Sequence, residues 1–215
     1  LKENSEKSGN TYILKKTLIT NLYNLLGVDE DDSKMEKILT NLAFDNVIKL
    51  FSQDGEECVM LSKYYKVESY IASKLVSMKC TFGDKEVDMT KEIGDYEMFN
   101  QISLHKNQKQ AVQMAVNSGV CVITGGPGTG KTTIVKCLLE CLKRQRKKVL
   151  LLAPTGRASK RLSESTGEEA KTIHRALDLD YKNGNGAFFT KDENNPLNED
   201  VIIVDEVSMV DSMLM

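Results

Sequence analysis

No apolar run in this 215-residue chain approaches the ~20 residues that a membrane-spanning helix needs, which excludes an ordinary helical anchor. No two cysteines have the C-x-x-C spacing, so the zinc-ribbon and thiol-redox readings of that motif are absent. The five cysteines are an odd number and read as reduced and structural; Cys137 and Cys141, at i and i+4, suit helix packing better than metal binding. Arginine is missing from residues 1–100, where 13 Lys face 18 Asp and Glu, leaving that half with little attraction for phosphate. Residues 101–215 reverse the balance, with 16 Lys and Arg against 13 Asp and Glu, so any phosphate partner belongs there. No repeat or low-complexity tract is present, and the start, Leu1-Lys2-Glu3, is neither a signal peptide nor an initiator methionine. A cytoplasmic protein, and a segment of a longer one, is the expectation.

What is present centres on Gly125-Gly126-Pro127-Gly128-Thr129-Gly130-Lys131-Thr132-Thr133. The apolar run Val120–Ile123 precedes it and the run from Ile134 to Leu139 follows, giving the strand, glycine loop and helix that a phosphate-binding loop requires. Glycine allows the backbone to curl with positive φ, so that amide N–H groups converge on an anion beside the positive end of a helix. Lys131 would neutralise the β- and γ-phosphates, and the Thr132 hydroxyl would hold Mg²⁺. Downstream, four apolar residues, Val201–Val204, end in Asp205-Glu206, which puts two carboxylates at the carboxyl end of a buried strand, where open α/β sheets bind ligands. Asp205 is the expected Mg²⁺ partner, and Glu206 the residue that orients and deprotonates the attacking water.

The rest of the second half fits a parallel α/β sheet. Leu104–Val112 starts it as a helix, in which Gln108 is placed to pair with an adenine edge. Val149–Ala153 is a buried strand ended by Pro154-Thr155-Gly156-Arg157, whose hydroxyl, N–H and guanidinium suit nucleic-acid phosphates. Thr172-Ile173-His174-Arg175 opens a short helix, and Lys182-Asn183-Gly184-Asn185-Gly186 lies between β-type residues as a hairpin turn, within 178–190. The first half reads as helix, helix, hairpin and helix. Its apolar faces are Leu14/Leu18/Leu22/Leu25/Leu26, then Met35/Ile38/Leu39/Leu42, then Val67/Ile71/Leu75/Met78. Asp32-Ser33 is the expected cap of the second helix, and residues 79–100 read as a linker or loose helix.

Taken together and in order, Gln108, Gly125–Thr133, Ala153-Pro154-Thr155-Gly156-Arg157-Ala158, Arg161-Leu162, Thr172-Ile173-His174 and Val204-Asp205-Glu206-Val207-Ser208-Met209 resemble the RecD family of superfamily 1 DNA helicases. The resemblance covers residues 100–215. It implies an incomplete RecA-like P-loop NTPase sheet over 101–215, behind a small, mostly helical, winged-helix-like domain over 1–100. It implies a 5′–3′ ATP-dependent DNA translocase of repair and recombination. Gln108 would be the adenine contact, Lys131, Thr132, Asp205 and Glu206 the ATP and Mg²⁺ residues, and Pro154, Thr155, Arg157, Thr172 and His174 the single-stranded DNA track. The 178–190 hairpin would be the pin at a duplex junction. The family's later motifs, its arginine finger among them, lie past Met215, so the chain alone is expected to bind nucleotide weakly and not to unwind DNA. Two readings stay open beside this one: another phosphate-loop ATPase or kinase, and a non-catalytic nucleotide-sensing module.

Overall fold

A computed structural model of the chain describes residues 1–2, 9–27, 31–81, 86–182 and 186–215. Two compact units divide it: Leu1–Lys74 with Ser212–Met215, and Leu75–Asp211.

The first unit contains β1 (Tyr12–Leu14), α1 (Lys15–Leu26), α2 (Asp32–Phe44), β2 (Ile48–Gln53), β3 (Glu56–Leu61) and the start of α3 (Ser62–Thr81). The β2–β3 hairpin turns at Asp54-Gly55, both with positive φ, the combination a two-residue turn between twisted strands needs. β1 adds to the other edge of β3, giving the antiparallel order β1-β3-β2. That strand takes Leu14 out of the expected helical face. Leu25 and Leu26 are exposed as well, so α1 buries Leu18 and Tyr23, against Met35, Leu39, Ile48 and Val59. Asp31, rather than Asp32 or Ser33, caps α2, accepting a 3.0 Å hydrogen bond from the Lys34 N–H. Replacing such a cap by alanine costs about 1 kcal/mol.

The second unit begins inside α3, earlier than the boundary expected near residue 100. The physical reason is α4 (Thr90–Asn100). What reads from composition as a linker or loose helix is a packed element: Met89, Ile93 and Tyr96 share a core with Leu104, Val112, Ile134 and Cys137. α5 (Lys106–Val116), α6 (Lys131–Arg144), β4 (Val149–Ala153), α7 (Gly156–Thr166), β5 (Ala170–Thr172), α8 (Ile173–Ala176), β6 (Leu179–Lys182), β7 (Gly186–Phe189) and β8 (Val201–Val204) follow. The sheet is parallel, in the order β5-β4-β8, with Leu151 opposite both Ala170 and Ile203. β5 carries too few residues to stand out in the sequence.

Val120–Ile123, expected as the strand before the phosphate loop, joins no ladder among the described residues. Ile123 packs on the core while Val122 is 79% exposed. The run leads into the loop without pairing. β6 and β7 pair antiparallel from Leu179↔Phe189 to Lys182↔Gly186, and the expected turn residues 183–185 lie outside the described residues. Among the described residues no helix is long and apolar enough to cross a membrane. Cys58, Cys121, Cys137 and Cys141 are free thiols. The Cys137 thiol is pushed well up by its hydrogen bond with Cys141 and by burial, which keeps it protonated and inert.

Candidate nucleotide-binding site

The loop at residues 125–130 is shaped by its glycines and by its own side chains. Gly128 and Gly130 take φ of 73° and 82°. The Thr129 hydroxyl donates to the Gly126 carbonyl at 2.8 Å, and a Cβ on Gly125 would lie 2.7 Å from that Oγ1. A Cβ on Gly130 would collide with Gln108 Nε2. Gly130 is also the residue before α6, and no side chain caps the helix there. The free N–H groups at that end, with the positive pole of a helix of 14 residues behind them, are what an anion binds. Lys131 Nζ donates to the carbonyls of Gly125 and Gly126 at 2.7 and 2.9 Å, so its ammonium lies over the loop.

The carboxylates come from the end of β8. The Asp205 N–H donates to the Leu152 carbonyl at 2.9 Å, which fixes the chain at the sheet's carboxyl edge. The Asp205 carboxylate accepts from the Glu206 N–H at 2.9 Å. Glu206 itself sits at φ 54° and ψ 37°, a left-handed conformation that a glutamate adopts at a cost of order 1 kcal/mol. The turn directs the chain away from the strand at this point.

One cavity of about 700 Å³ collects these groups: Gly125, Pro127 through Thr132, Asp205 and Glu206 line it. The two motifs lie far apart in the chain and meet on one side of the sheet. Gly126, Thr133 and Gln108 do not line the cavity. Gln108 is engaged with protein instead: its Oε1 accepts from the His105 N–H at 2.8 Å and its Nε2 donates to the Thr129 carbonyl at 3.1 Å. α7 contributes Ala158, Arg161, Leu162 and Ser165 to the same cavity. None of these four carries a site role in the sequence reading. The signal was their spacing, i, i+3, i+4 and i+7, which marks a single helix face.

For a divalent cation the protein offers the Thr132 hydroxyl and the Asp205 carboxylate on the same cavity. Among the described residues no cluster of three or more His, Cys, Asp or Glu side chains forms a closed metal site. Two protein donors suit Mg²⁺, which keeps waters and takes substrate phosphate oxygens for the rest of its octahedron.

The residues expected to face DNA occupy the same edge of the sheet beside this cavity. Pro154 and Thr155 follow β4, and Thr172 ends β5 opposite Ala153. Thr155 Oγ1 accepts from the Ala158 N–H at 3.2 Å and caps α7; Thr172 Oγ1 does the same for α8, from Arg175. Their oxygens therefore hold helices. Arg157 is exposed, and the exposed His174 ring stands 5.9 Å from that of Phe189 on β7.

A family model described as an AAA domain matches residues 108–215, half of the chain, and the chain belongs to that family. Nucleotide binding, of ATP, goes with that membership. Within it the second half is RecD-like. It is 40% identical over 131 residues to the RecBCD enzyme subunit RecD of Mycobacterium tuberculosis, covering 50% of this chain and 22% of the relative. It is 38% identical over 112 residues to the ATP-dependent RecD2 DNA helicase of Deinococcus radiodurans, covering 52% of this chain and 15% of the relative. The RecBCD enzyme subunit RecD of Buchnera aphidicola is 39% identical over 132 residues, 52% of this chain and 21% of that protein. The chain thus spans about a fifth of the length of these curated relatives.

Proposed function

We propose that this chain carries the nucleotide-binding half of a motor that couples ATP hydrolysis to 5′–3′ movement along single-stranded DNA and the opening of duplex junctions, in repair and recombination in the cytoplasm. The observation that supports it is the single cavity shared by Lys131 and Thr132 with Asp205 and Glu206. Lys131 leaves its loop carbonyls to meet the β- and γ-phosphates, while the loop N–H groups and the start of α6 hold the remaining oxygens. Thr132 and Asp205 hold Mg²⁺, which supplies charge neutralisation when bound. Among the described residues the Glu206 backbone bonds to the Asp205 carboxylate and the Met209 N–H while its carboxylate has no hydrogen-bond or ion-pair partner, leaving it free to orient a water and take its proton. Gln108 reads the adenine edge by exchanging one of its protein hydrogen bonds for the base. Pro154, Thr155, Arg157, Thr172 and His174 border the DNA strand through backbone and exposed side-chain atoms, and the β6–β7 hairpin stands beside His174 as the splitting pin.

The first unit is a winged-helix-like module. Its acidity and lack of arginine favour packing against protein over reading DNA.

The test is ATP hydrolysis by the full-length gene product with and without single-stranded DNA. Stimulation by DNA is expected, and E206Q should keep nucleotide binding while hydrolysis falls by ~100-fold or more. Hydrolysis indifferent to DNA would assign the site to another phosphate-loop enzyme. An intact cellular function in E206Q would make it a sensing module.

A further inference from the structure

Four charged side chains line the nucleotide cavity: Lys131, Arg161, Asp205 and Glu206. With Arg161 the lining is neutral; without it, a polyphosphate would enter a site whose net charge is already negative. Lys131 is the one cation the phosphate loop itself provides, and Asp205 and Glu206 both repel an anion until a metal ion joins them.

Arg161 is placed to offset that repulsion. It is exposed, and among the described residues it forms no ion pair or hydrogen bond, whereas the adjacent Lys160 pairs with Glu164 at 3.9 Å. Its backbone is held firmly. The next residue, Leu162, is buried with Leu139 and Leu151 between α6 and the sheet, and Thr155 caps the helix. An arginine on a fixed helix, unpaired and lining the same cavity as the phosphate loop, suits an anion, because the planar fork matches two phosphate oxygens at once. Arg157, one turn earlier in α7 and expected to face DNA, does not line the cavity.

Building on the nucleotide-binding reading above, we infer that Arg161 is a second cationic ligand of the nucleotide's polyphosphate, supplied by α7 alongside Lys131.

The experiment measures binding of ATP with Mg²⁺, and of inorganic tripolyphosphate competing against it, to the full chain and to R161Q, R161K and K131A. Melting of each protein without ligand serves as the folding control. R161Q is expected to weaken ATP and tripolyphosphate by a similar factor, ~10-fold or more for a lost charge-assisted contact, with R161K recovering part of it. Unchanged ATP affinity in R161Q, with binding lost in K131A, overturns the inference and leaves the site reading intact. A loss for ATP but none for tripolyphosphate also overturns it, since Arg161 would then serve the base or ribose. Failure of the unsubstituted chain to bind either probe removes both claims. Should R161Q not fold, R161K carries the comparison on the same criteria.

Discussion

Gln108 ties the start of α5 to the phosphate loop: its Oε1 accepts from the His105 N–H at 2.8 Å while its Nε2 donates to the Thr129 carbonyl at 3.1 Å. Both ends of the amide are therefore used within the protein, one in a capping box and one across 21 residues of sequence. A residue whose only task was to contact a base would leave stability unchanged when truncated. Here Q108A should destabilise the nucleotide-free second unit by about 1–2 kcal/mol, the sum of a cap and one hydrogen bond. Amide hydrogen exchange checks it, through faster exchange at His105 and in the loop around Gly130. Exchange identical to that of the unsubstituted chain would remove Gln108 from the scaffold.

The same amide makes Gly130 irreplaceable on two counts. Its φ of 82° strains any L side chain, and the added Cβ would meet Gln108 Nε2. G130A is expected to cost about 1–3 kcal/mol and to disturb the loop. Gly156 is the matched control, with no atom within 4 Å of its added Cβ and no positive φ. G156A should be neutral or stabilise by up to about 1 kcal/mol, as alanine restricts the unfolded chain in the first turn of α7. Chemical denaturation of the two variants side by side reads the contrast, and equal losses would contradict it.

Much of the site was legible because its signals are local. Thr132 follows Lys131 in a fixed pattern, and Asp205-Glu206 ends a run of four apolar residues, so the sequence alone identifies both motifs. Their meeting in one cavity needs the parallel order β5-β4-β8, which the alternation of strands and helices implies. Arg161 was not legible as a site residue, because an arginine on a polar helix face looks the same whether it faces solvent or a cavity. For Gln108 the residue type suggested a ligand contact, while its hydrogen bonds to His105 and Thr129 are known only from geometry. In the first half, short strands such as β1 are decided by a distant partner, β3, which moved Leu14 from helix to sheet. Likewise Met89, Ile93 and Tyr96 are too sparse among acidic neighbours to mark α4 as core until the facing residues are known.

α4 and α5 are joined by a buttress that depends on pH. Glu97 Oε2 accepts from Lys109 Nζ at 2.7 Å, and Oε1 accepts from the Leu104 N–H at 2.6 Å. The Lys109 hydrogen bond first, and the Leu104 N–H second, hold the Glu97 carboxyl below its ordinary value of 4.5. A carboxyl depressed in the folded state binds its proton more weakly there than in the unfolded chain. Its stabilising contribution is thus fully present above 4.5 and is lost as pH falls through the lower, folded value. E97Q removes the charge while keeping the shape. The gap in melting temperature between the unsubstituted chain and E97Q should therefore be open at neutral pH and close as the solution is acidified below 4.5. High salt should narrow the gap at neutral pH as well, since the lysine is partly exposed and the pair is screened. Two melting curves that stay parallel from neutral to acid pH would show that the carboxylate's charge contributes nothing to joining these helices.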